Sequence, residues 1–165
     1  MDCKFKADFD YPELSINKID KREVALLMPA YGGKKSETTA VMGYAFQSYV
    51  LKTNYPEISS CLERIAITEM KHHELLADAI IAFGGIPYIG GNNYFWQGGF
   101  VNYSTDVKTI INRDVTSEKE AIAYYKEIIR LSENESLKKL IGRIILDEAI
   151  HIETLNAIKH QLLNA

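Results

Sequence analysis

Four long stretches of this chain repeat apolar residues at intervals of three and four positions, and this spacing constrains the fold more than any other feature. Residues three and four apart share one face of an α-helix, so each stretch predicts an amphipathic helix. The predicted helices span about residues 36–52, 57–83, 105–132 and 135–162. Each apolar stripe must be buried against neighbouring helices, which predicts an all-α fold built as an antiparallel four-helix bundle.

The connections between the helices predict their arrangement. The first and second helices are joined by a few residues, as are the third and fourth, so each pair should be antiparallel. The link at residues 84–104 is longer and should cross the bundle from end to end. Its aromatic segment, which includes Trp96, is expected to be packed rather than disordered. Ser104 is the predicted N-cap of the third helix.

The length of 165 residues suits a single domain with a substantial core. We expect residues 36–165 to form the bundle domain and residues 1–35 to form an N-terminal extension. The apolar pattern allows a short helix at residues 21–28, which Pro29 and the glycines at 32 and 33 would end.

The composition excludes several classes of protein. Apolar residues make up 47% of the chain and charged residues 25%, the ordinary range for a globular protein. A net charge of −3 without a basic run gives no indication of nucleic-acid binding. The sequence shows no signal core and no apolar run that could span a membrane. Cys3 and Cys61 are too few and too far apart for a Cys-x-x-Cys site, so we expect a cytoplasmic protein in which Cys61 is a small buried apolar residue.

Carboxylates and histidines interrupt the apolar stripes in a pattern that occurs twice. Each occurrence is a Glu on one helix, a Tyr seven positions later, and a Glu-x-x-His on the next helix. One Glu-x-x-His is a weak signal, but two of them at nearly equal spacing on apolar faces are hard to obtain by chance. The first set is Glu37, Tyr44, Glu69 and His72, and the second is Glu118, Tyr125, Glu148 and His151.

The charge of this constellation predicts a metal site. Each Glu-x-x-His places a carboxylate and an imidazole on one helix face, where both can reach a common point. Burying an unpaired carboxylate is costly, and the stripes contain no Lys or Arg to compensate four of them, whereas two divalent cations would. The alternative is a water-bridged polar layer in an ordinary bundle. The predicted metal ligands, which would also be the catalytic residues, are Glu37, Glu69, His72, Glu118, Glu148 and His151.

Four further residues are predicted to support the ligands by hydrogen bonding. Tyr44 and Tyr125 follow ligand glutamates, although core tyrosines near a polar layer are also common. Asp147 could orient His72 from the opposite helix, and Thr68 holds the equivalent place for His151.

These motifs resemble the ferritin-like superfamily, specifically its bacterioferritin and rubrerythrin branch, over about residues 36–160. The resemblance implies a dinuclear site with two iron or two manganese ions, bridged by Glu69 and Glu148. Two features differ from the rubrerythrin pattern: the Cys-x-x-Cys pairs of a rubredoxin domain are absent, and Ala121 stands where an additional Glu is usual. Met70 lies at the haem-ligand position of bacterioferritins, but haem is not expected. The segment from Tyr31 to Gly33 and the aromatic crossover are also similar to manganese catalases and related spore-coat proteins.

The resemblance implies a dinuclear metal oxidoreductase that acts on oxygen or hydrogen peroxide, as a ferroxidase or a peroxidase. Iron delivered as the reductant would correspond to a ferroxidase, and an electron-transfer partner would correspond to a peroxidase or an oxygen reductase. Two alternatives remain open: a dimanganese site that disproportionates hydrogen peroxide, and a coat or assembly subunit with a vestigial metal site. We expect a homodimer, and no nucleic-acid or membrane partner.

Overall fold

The computed structural model describes residues 3–164, and its helices follow the predicted order. α1 spans Lys21–Gly32, α2 Glu37–Leu51, α3 Pro56–Ala82, α4 Val107–Leu131 and α5 Glu135–Asn164. α2 packs along α3, α4 packs along α5, and these four helices form the bundle. The predicted all-α four-helix bundle with a long crossover is therefore confirmed, with α1 as an additional helix beside it.

The helix ends follow from local hydrogen bonding. Ser36 caps α2, because its side chain accepts a hydrogen bond from the amide of Thr39. The prediction that Ser104 caps the third bundle helix is wrong. Asp106 is the N-cap of α4 and accepts from the amide of Thr109 at 2.8 Å, while the hydroxyl of Ser104 accepts from the amide of Asp106. The carboxylate also suits the positive end of the helix dipole.

α1 continues through Pro29 to Gly32, so the prediction that Pro29 ends this helix is wrong. A proline inside a helix has no amide hydrogen for the carbonyl four residues earlier, which here is Ala25. The side-chain amide of Asn92 in the crossover supplies this missing donor, at 3.0 Å from the Ala25 oxygen. The crossover thus compensates for the proline and attaches α1 to the bundle.

The core has two apolar clusters, one toward each end of the bundle. The first contains Leu76 and Phe83 of α3 with Ile141 of α5, and α1 packs onto it. The second contains Ile65 of α3 and Leu155 of α5. The residues of the predicted site lie between the two clusters along α3 and α5, so apolar packing encloses them from both ends.

The first described residues form an N-terminal strap, residues 3–11, that lies against α3 and α5. Its carbonyls accept hydrogen bonds from α5: the Lys4 oxygen from the Thr154 hydroxyl at 2.6 Å, and the Phe9 oxygen from the Arg143 guanidinium. Cys3 of the strap is joined to Cys61 of α3 by a disulfide. The strap is therefore attached both covalently and by backbone hydrogen bonds.

The disulfide corrects the prediction of an unpaired Cys61. The residue is buried, as predicted, but it is a crosslink rather than a small apolar side chain. Disulfides persist mainly in oxidising environments, so the cytoplasmic location stays a prediction that this bond does not favour. None of the helices formed by residues 3–164 is long and apolar enough to cross a membrane.

Candidate metal centre

The six predicted ligands meet in the middle of the bundle. Glu37 comes from α2, Glu118 from α4, and a Glu-x-x-His pair from each of α3 and α5. Each of the six residues is at most 4% exposed. They form two overlapping groups of four, in which the potential ligand atoms all lie within 4.8 Å of one another. The first group is Glu37, Glu69, His72 and Glu148, and the second is Glu69, Glu118, Glu148 and His151.

Glu69 and Glu148 belong to both groups because each directs one oxygen toward each histidine. His72 Nδ1 lies 3.0 Å from Glu69 Oε2 and 3.2 Å from Glu148 Oε1. His151 Nδ1 lies 3.0 Å from Glu69 Oε1 and 3.1 Å from Glu148 Oε2. This is the arrangement expected of two carboxylates that bridge a pair of metal ions.

Glu37 and Glu118 each belong to one group only. Glu37 Oε2 lies 3.8 Å from His72 Nδ1, and Glu118 Oε1 lies 3.5 Å from His151 Nδ1. Each of these glutamates accepts a hydrogen bond from a buried tyrosine of the other hairpin, Glu37 from Tyr125 and Glu118 from Tyr44. The two tyrosines thus occupy equivalent places in the two halves, as the repeated motif suggested.

The hydrogen bond at Nε2 of each histidine identifies Nδ1 as the nitrogen that can bind metal. His151 Nε2 lies 2.7 Å from the carbonyl oxygen of Phe5, and His72 Nε2 lies 3.0 Å from Asp147 Oδ2. A carbonyl can only accept a hydrogen bond, so Nε2 of His151 carries a hydrogen and its neutral ring has a free lone pair on Nδ1. An ionised Asp147 has the same effect on His72, which leaves both Nδ1 atoms directed at the shared carboxylates.

Asp147 therefore lies where the sequence predicted, but Thr68 does not. The hydroxyl of Thr68 donates to the carbonyl of Arg64 within its own helix, and the Phe5 carbonyl takes the place beside His151. Back-bonding to the residue four positions earlier is a common way for threonine to satisfy its hydroxyl inside a helix.

Asp147 is the centre of a network that the sequence did not indicate. It accepts hydrogen bonds from the Tyr11 hydroxyl at 2.6 Å, the Ala7 amide at 2.7 Å and the Arg143 guanidinium at 2.6 Å. Burial alone would raise the pKa of Asp147, but the hydrogen bonds from His72 and these donors lower it overall. Asp147 is consequently ionised and fixed in place, with Arg143 as its charge partner.

The charges of the metal-free centre balance among its own residues. Burial and the neighbouring carboxylates raise the pKa of Glu37 and of Glu118 well above the usual value. Burial also acts to raise the pKa of Glu69, but His151 and His72 bring it well below the usual value. Burial would lower the pKa of each histidine, yet the surrounding carboxylates raise both well above 6.5. Protons therefore occupy the centre when no cation does.

The donor set fits a pair of metal ions. Glu37 Oε2 is buried and accepts no hydrogen bond from the described residues, although buried carboxylate oxygens are normally satisfied. Glu69 Oε1 also has no hydrogen-bond partner, but it forms an ion pair with His151 Nδ1 at 3.0 Å. Both belong to side chains of the groups described above. Cations would satisfy these oxygens and compensate the four carboxylates together. The structure thus brings all six predicted ligands together, and their role as ligands stays a prediction.

A four-helix bundle with this arrangement of buried Glu and His side chains is the architecture of the ferritin-like class of dinuclear metal proteins. The family model described as Rubrerythrin matches residues 33–159, so the chain belongs to this family. No curated protein sequence matches the chain.

Solved structures extend the comparison. KatB, a manganese catalase from Anabaena PCC7120, superposes with a TM-score of 0.85 at 22% identity, over 96% of this chain and 80% of that one. The bacterioferritin of Desulfovibrio desulfuricans, described with a diiron site, gives 0.74 at 25% identity, over 87% and 81%. A dodecameric thioferritin from Bacteroides fragilis gives 0.72 at 21% identity, over 88% and 89%. The ferritin-like fold predicted from the motifs is therefore confirmed.

Proposed function

We propose that this protein is a dinuclear metal oxidoreductase that reduces oxygen or hydrogen peroxide with iron or manganese in its centre. The observation that carries the proposal is the pair of buried groups, each of three carboxylates and one imidazole, that share Glu69 and Glu148. Carboxylate oxygens with one imidazole per ion suit iron or manganese. Membership of the rubrerythrin family and likeness to proteins with dinuclear metal sites support it.

The residues of the centre have separate roles in this proposal. His72 and His151 would each bind one ion through Nδ1, with Glu37 and Glu118 as the carboxylates specific to one ion each. The metal pair, when bound, would supply the electrons for reduction of the oxygen substrate. Tyr44 restrains Glu118 by hydrogen bonding, and Asp147 fixes the ring of His72. Apolar clusters on both sides limit access of water to the centre.

Metal stoichiometry and substrate consumption test the proposal together. Full-length protein reconstituted anaerobically with Fe(II) or Mn(II) should retain about two ions per chain after gel filtration, as other bundles of this kind do. The iron-loaded protein should then consume oxygen or peroxide in the presence of a reductant. The double substitution Glu69→Gln with Glu148→Gln should abolish both metal retention and consumption, because it removes both shared carboxylates.

Two exposed glutamates of the bundle helices α4 and α5 provide a matched control. Glu120 and Glu153 are exposed, so Glu120→Gln with Glu153→Gln changes the net charge equally without touching the centre. This control should behave like the wild type. Retention of two ions by the Glu69/Glu148 variant would refute the site. Retention of two ions by the wild type without consumption of either substrate would refute the activity and favour a structural or coat subunit.

Dimanganese disproportionation of hydrogen peroxide is the second candidate function. The match to the manganese catalase extends over 96% of this chain, against 87% for the bacterioferritin. Disproportionation needs no external electrons. Manganese-loaded protein that evolves oxygen from peroxide without a reductant would support this candidate, and a strict requirement for a reductant would support the first.

We also propose that the protein is a homodimer that uses its crossover as a contact. Ile86 is 78% exposed and Phe95 77% exposed, which is unusual for large apolar side chains. Light scattering should give twice the mass of the chain, and Ile86→Ser with Phe95→Ser should give the monomer mass. A wild-type monomer would contradict the proposal. If the protein is a peroxidase, it needs an electron-transfer partner. A reductase that supports repeated turnover with peroxide would identify one.

A further inference from the structure

A buried carboxyl group lies beside the metal centre but outside its ligand set. Asp114 is on α4, one turn before Glu118, and is 7% exposed. Its Oδ1 accepts a hydrogen bond at 2.9 Å from the side-chain amide of Gln47, which is on α2 one turn after Tyr44 and is 3% exposed. The Gln47–Asp114 pair is thus the neighbour, about one helical turn away, of the Tyr44–Glu118 pair.

Both members of the Gln47–Asp114 pair have one unsatisfied atom. Asp114 Oδ2 and Gln47 Oε1 are buried and have no hydrogen-bond partner among the described residues. Both atoms are acceptors when the carboxyl is ionised, so neither can satisfy the other. A proton on Asp114 turns its second oxygen into a donor, and Gln47 Oε1 is an acceptor within the same pair. The two unsatisfied acceptor atoms of the pair therefore favour a neutral carboxylic acid at Asp114.

The electrostatic surroundings favour the same state. Burial raises the pKa of Asp114 to about 7, although the Gln47 hydrogen bond acts to lower it. No ion pair among residues 3–164 includes Asp114. Asp114 lies close enough to Tyr44 of the centre to help raise the pKa of the Tyr44 hydroxyl, after burial and Glu118.

Only one half of the centre has this pair. By the repeat that relates Glu37 to Glu118 and Tyr44 to Tyr125, the positions equivalent to Asp114 and Gln47 are Gly33 and Ile128. Neither residue has an ionisable side chain. The pair therefore does not follow from the repeat itself and distinguishes the Glu118 side from the Glu37 side.

The charge of the bound metal pair would determine whether Asp114 is protonated or ionised. Two divalent ions, when bound, would compensate the four carboxylates of the centre, and an additional ionised Asp114 would be a buried, uncompensated charge. Two trivalent ions would carry two more positive charges, which would favour ionisation of a nearby acid. Asp114 would then release its proton when the centre becomes oxidised.

We propose that Asp114 stores a proton beside the reduced centre and supplies it on the Glu118 side during substrate reduction. This inference rests on the proposed function. Reduction of hydrogen peroxide to two water molecules takes two protons and two electrons, and the metal pair would supply the electrons when bound. Asp114 supplies one proton, is left as a carboxylate and recovers a proton from solvent. The second proton comes from solvent directly.

The protonation state can be measured without turnover. Carboxyl ¹³C shifts of aspartate-labelled full-length protein would be followed against pH in the metal-free, Zn(II)-loaded and Ga(III)-loaded forms, which are redox-inert. The Asp114→Asn variant identifies the signal by its loss. We expect a protonated Asp114 at pH 6 in the metal-free and Zn(II) forms and an ionised one in the Ga(III) form. Ionised Asp114 in the Zn(II) form, or equal pKa values in the two loaded forms, would overturn the proposal.

The Asp114→Asn variant also separates the proton from the structural link. Asparagine can still accept from and donate to Gln47, so folding and metal stoichiometry should be unchanged. Oxidation of the Fe(II)-loaded variant by peroxide should slow by at least about tenfold, since general-acid residues commonly contribute 10²–10⁴. Asp78→Asn, on the exposed surface of α3, is the control and should not slow the reaction. An unchanged rate in Asp114→Asn would overturn the proposal.

The outcomes distinguish this inference from the proposed function. Metal binding and peroxide reduction with an ionised Asp114 would remove the inference and leave the function. If wild-type protein retained no metal, both would fail, because there would be no centre for Asp114 to serve.

Discussion

The imidazole of His151 donates a hydrogen bond to the carbonyl oxygen of Phe5 at 2.7 Å, although 146 positions separate them in the chain. The other histidine is reached by the same strap, because Tyr11 donates to the carboxylate of Asp147 that accepts from His72. One N-terminal segment thus fixes the outer nitrogen of both predicted metal-binding rings. The N-terminal strap is therefore part of the candidate metal centre.

Tyr11→Phe tests this role of the strap. The substitution removes one donor to Asp147 and leaves the aromatic ring over Arg143 in place. Loss of a partner outside the ligands commonly lowers metal affinity 10–100-fold, so we expect a decrease of about tenfold. Competition with a chromophoric chelator would measure it. Tyr49→Phe, at a side chain that is 72% exposed, is the control. Equal affinity in both variants would show that the strap does not support the centre.

Reduction of the Cys3–Cys61 disulfide should destabilise the protein. The bond closes a loop over a sequence separation of 58 residues, and the chain-entropy treatment gives about 4 kcal/mol for a loop of this length. Urea denaturation with and without a phosphine reductant would measure the difference in the free energy of unfolding. The double variant Cys3→Ser with Cys61→Ser should show the lower stability and no response to reductant. Equal stability of the oxidised and fully reduced wild type would contradict the prediction.

The helices and the six buried ligand candidates could be predicted because their signal is periodic. A Glu on an apolar stripe stands out at helical spacing, and its burial needs compensation whatever the details of packing. Tyr44 and Tyr125 were predictable for the same reason, since each follows a ligand candidate by two turns on one face. Long amphipathic helices also have few alternative arrangements once their connections are short.

The strap could not be predicted, because an extended segment without periodic apolar residues has no local signature. The role of Phe5 depends on its backbone carbonyl, which every residue has. Arg143 lay off the apolar stripe of its helix, and only the fold shows that it is 4% exposed and paired with Asp147. The disulfide could not be predicted because it forms only where the strap brings Cys3 beside Cys61, and two cysteines so far apart in the sequence gave no sign of this. The domain division at residue 36 stays a prediction.

Tyr44→Phe and Tyr125→Phe should affect different ions of the pair. Tyr44 donates to Glu118, which faces His151, and Tyr125 donates to Glu37, which faces His72. Each substitution frees one glutamate from its restraint, so each should weaken one of two binding steps, by about tenfold. Calorimetric titration of the metal-free protein with Mn(II) resolves the steps. If both variants weakened the same step, the assignment of one tyrosine to each half would be wrong.

The metal-free protein should lose stability as the pH rises. Burial opposes protonation of His72 and His151, but the surrounding carboxylates raise the pKa of both above 6.5. A group with a raised pKa in the folded state stabilises the fold below its unfolded value, and that stability is lost as the pH rises through the folded value. Thermal unfolding with a chelator present should therefore show a falling Tm above about pH 6.5. A Tm that rises from pH 6.5 to 9 would contradict these directions.

Metal loading should make the gain in Tm over the metal-free protein increase with pH. Ions bind the neutral imidazole and the ionised carboxylate, so loading must displace protons from His72 and His151, and from Glu37 and Glu118, whose pKa values burial raises. One proton from each of these residues gives about four released per pair of ions near neutral pH. Calorimetry in buffers of different ionisation enthalpy measures this number directly. Because protons compete with the ions, affinity should rise with pH, and the Tm difference between loaded and metal-free protein should widen. Release of no protons would mean that ions bind elsewhere, since these six buried groups cannot accept two cations without losing protons.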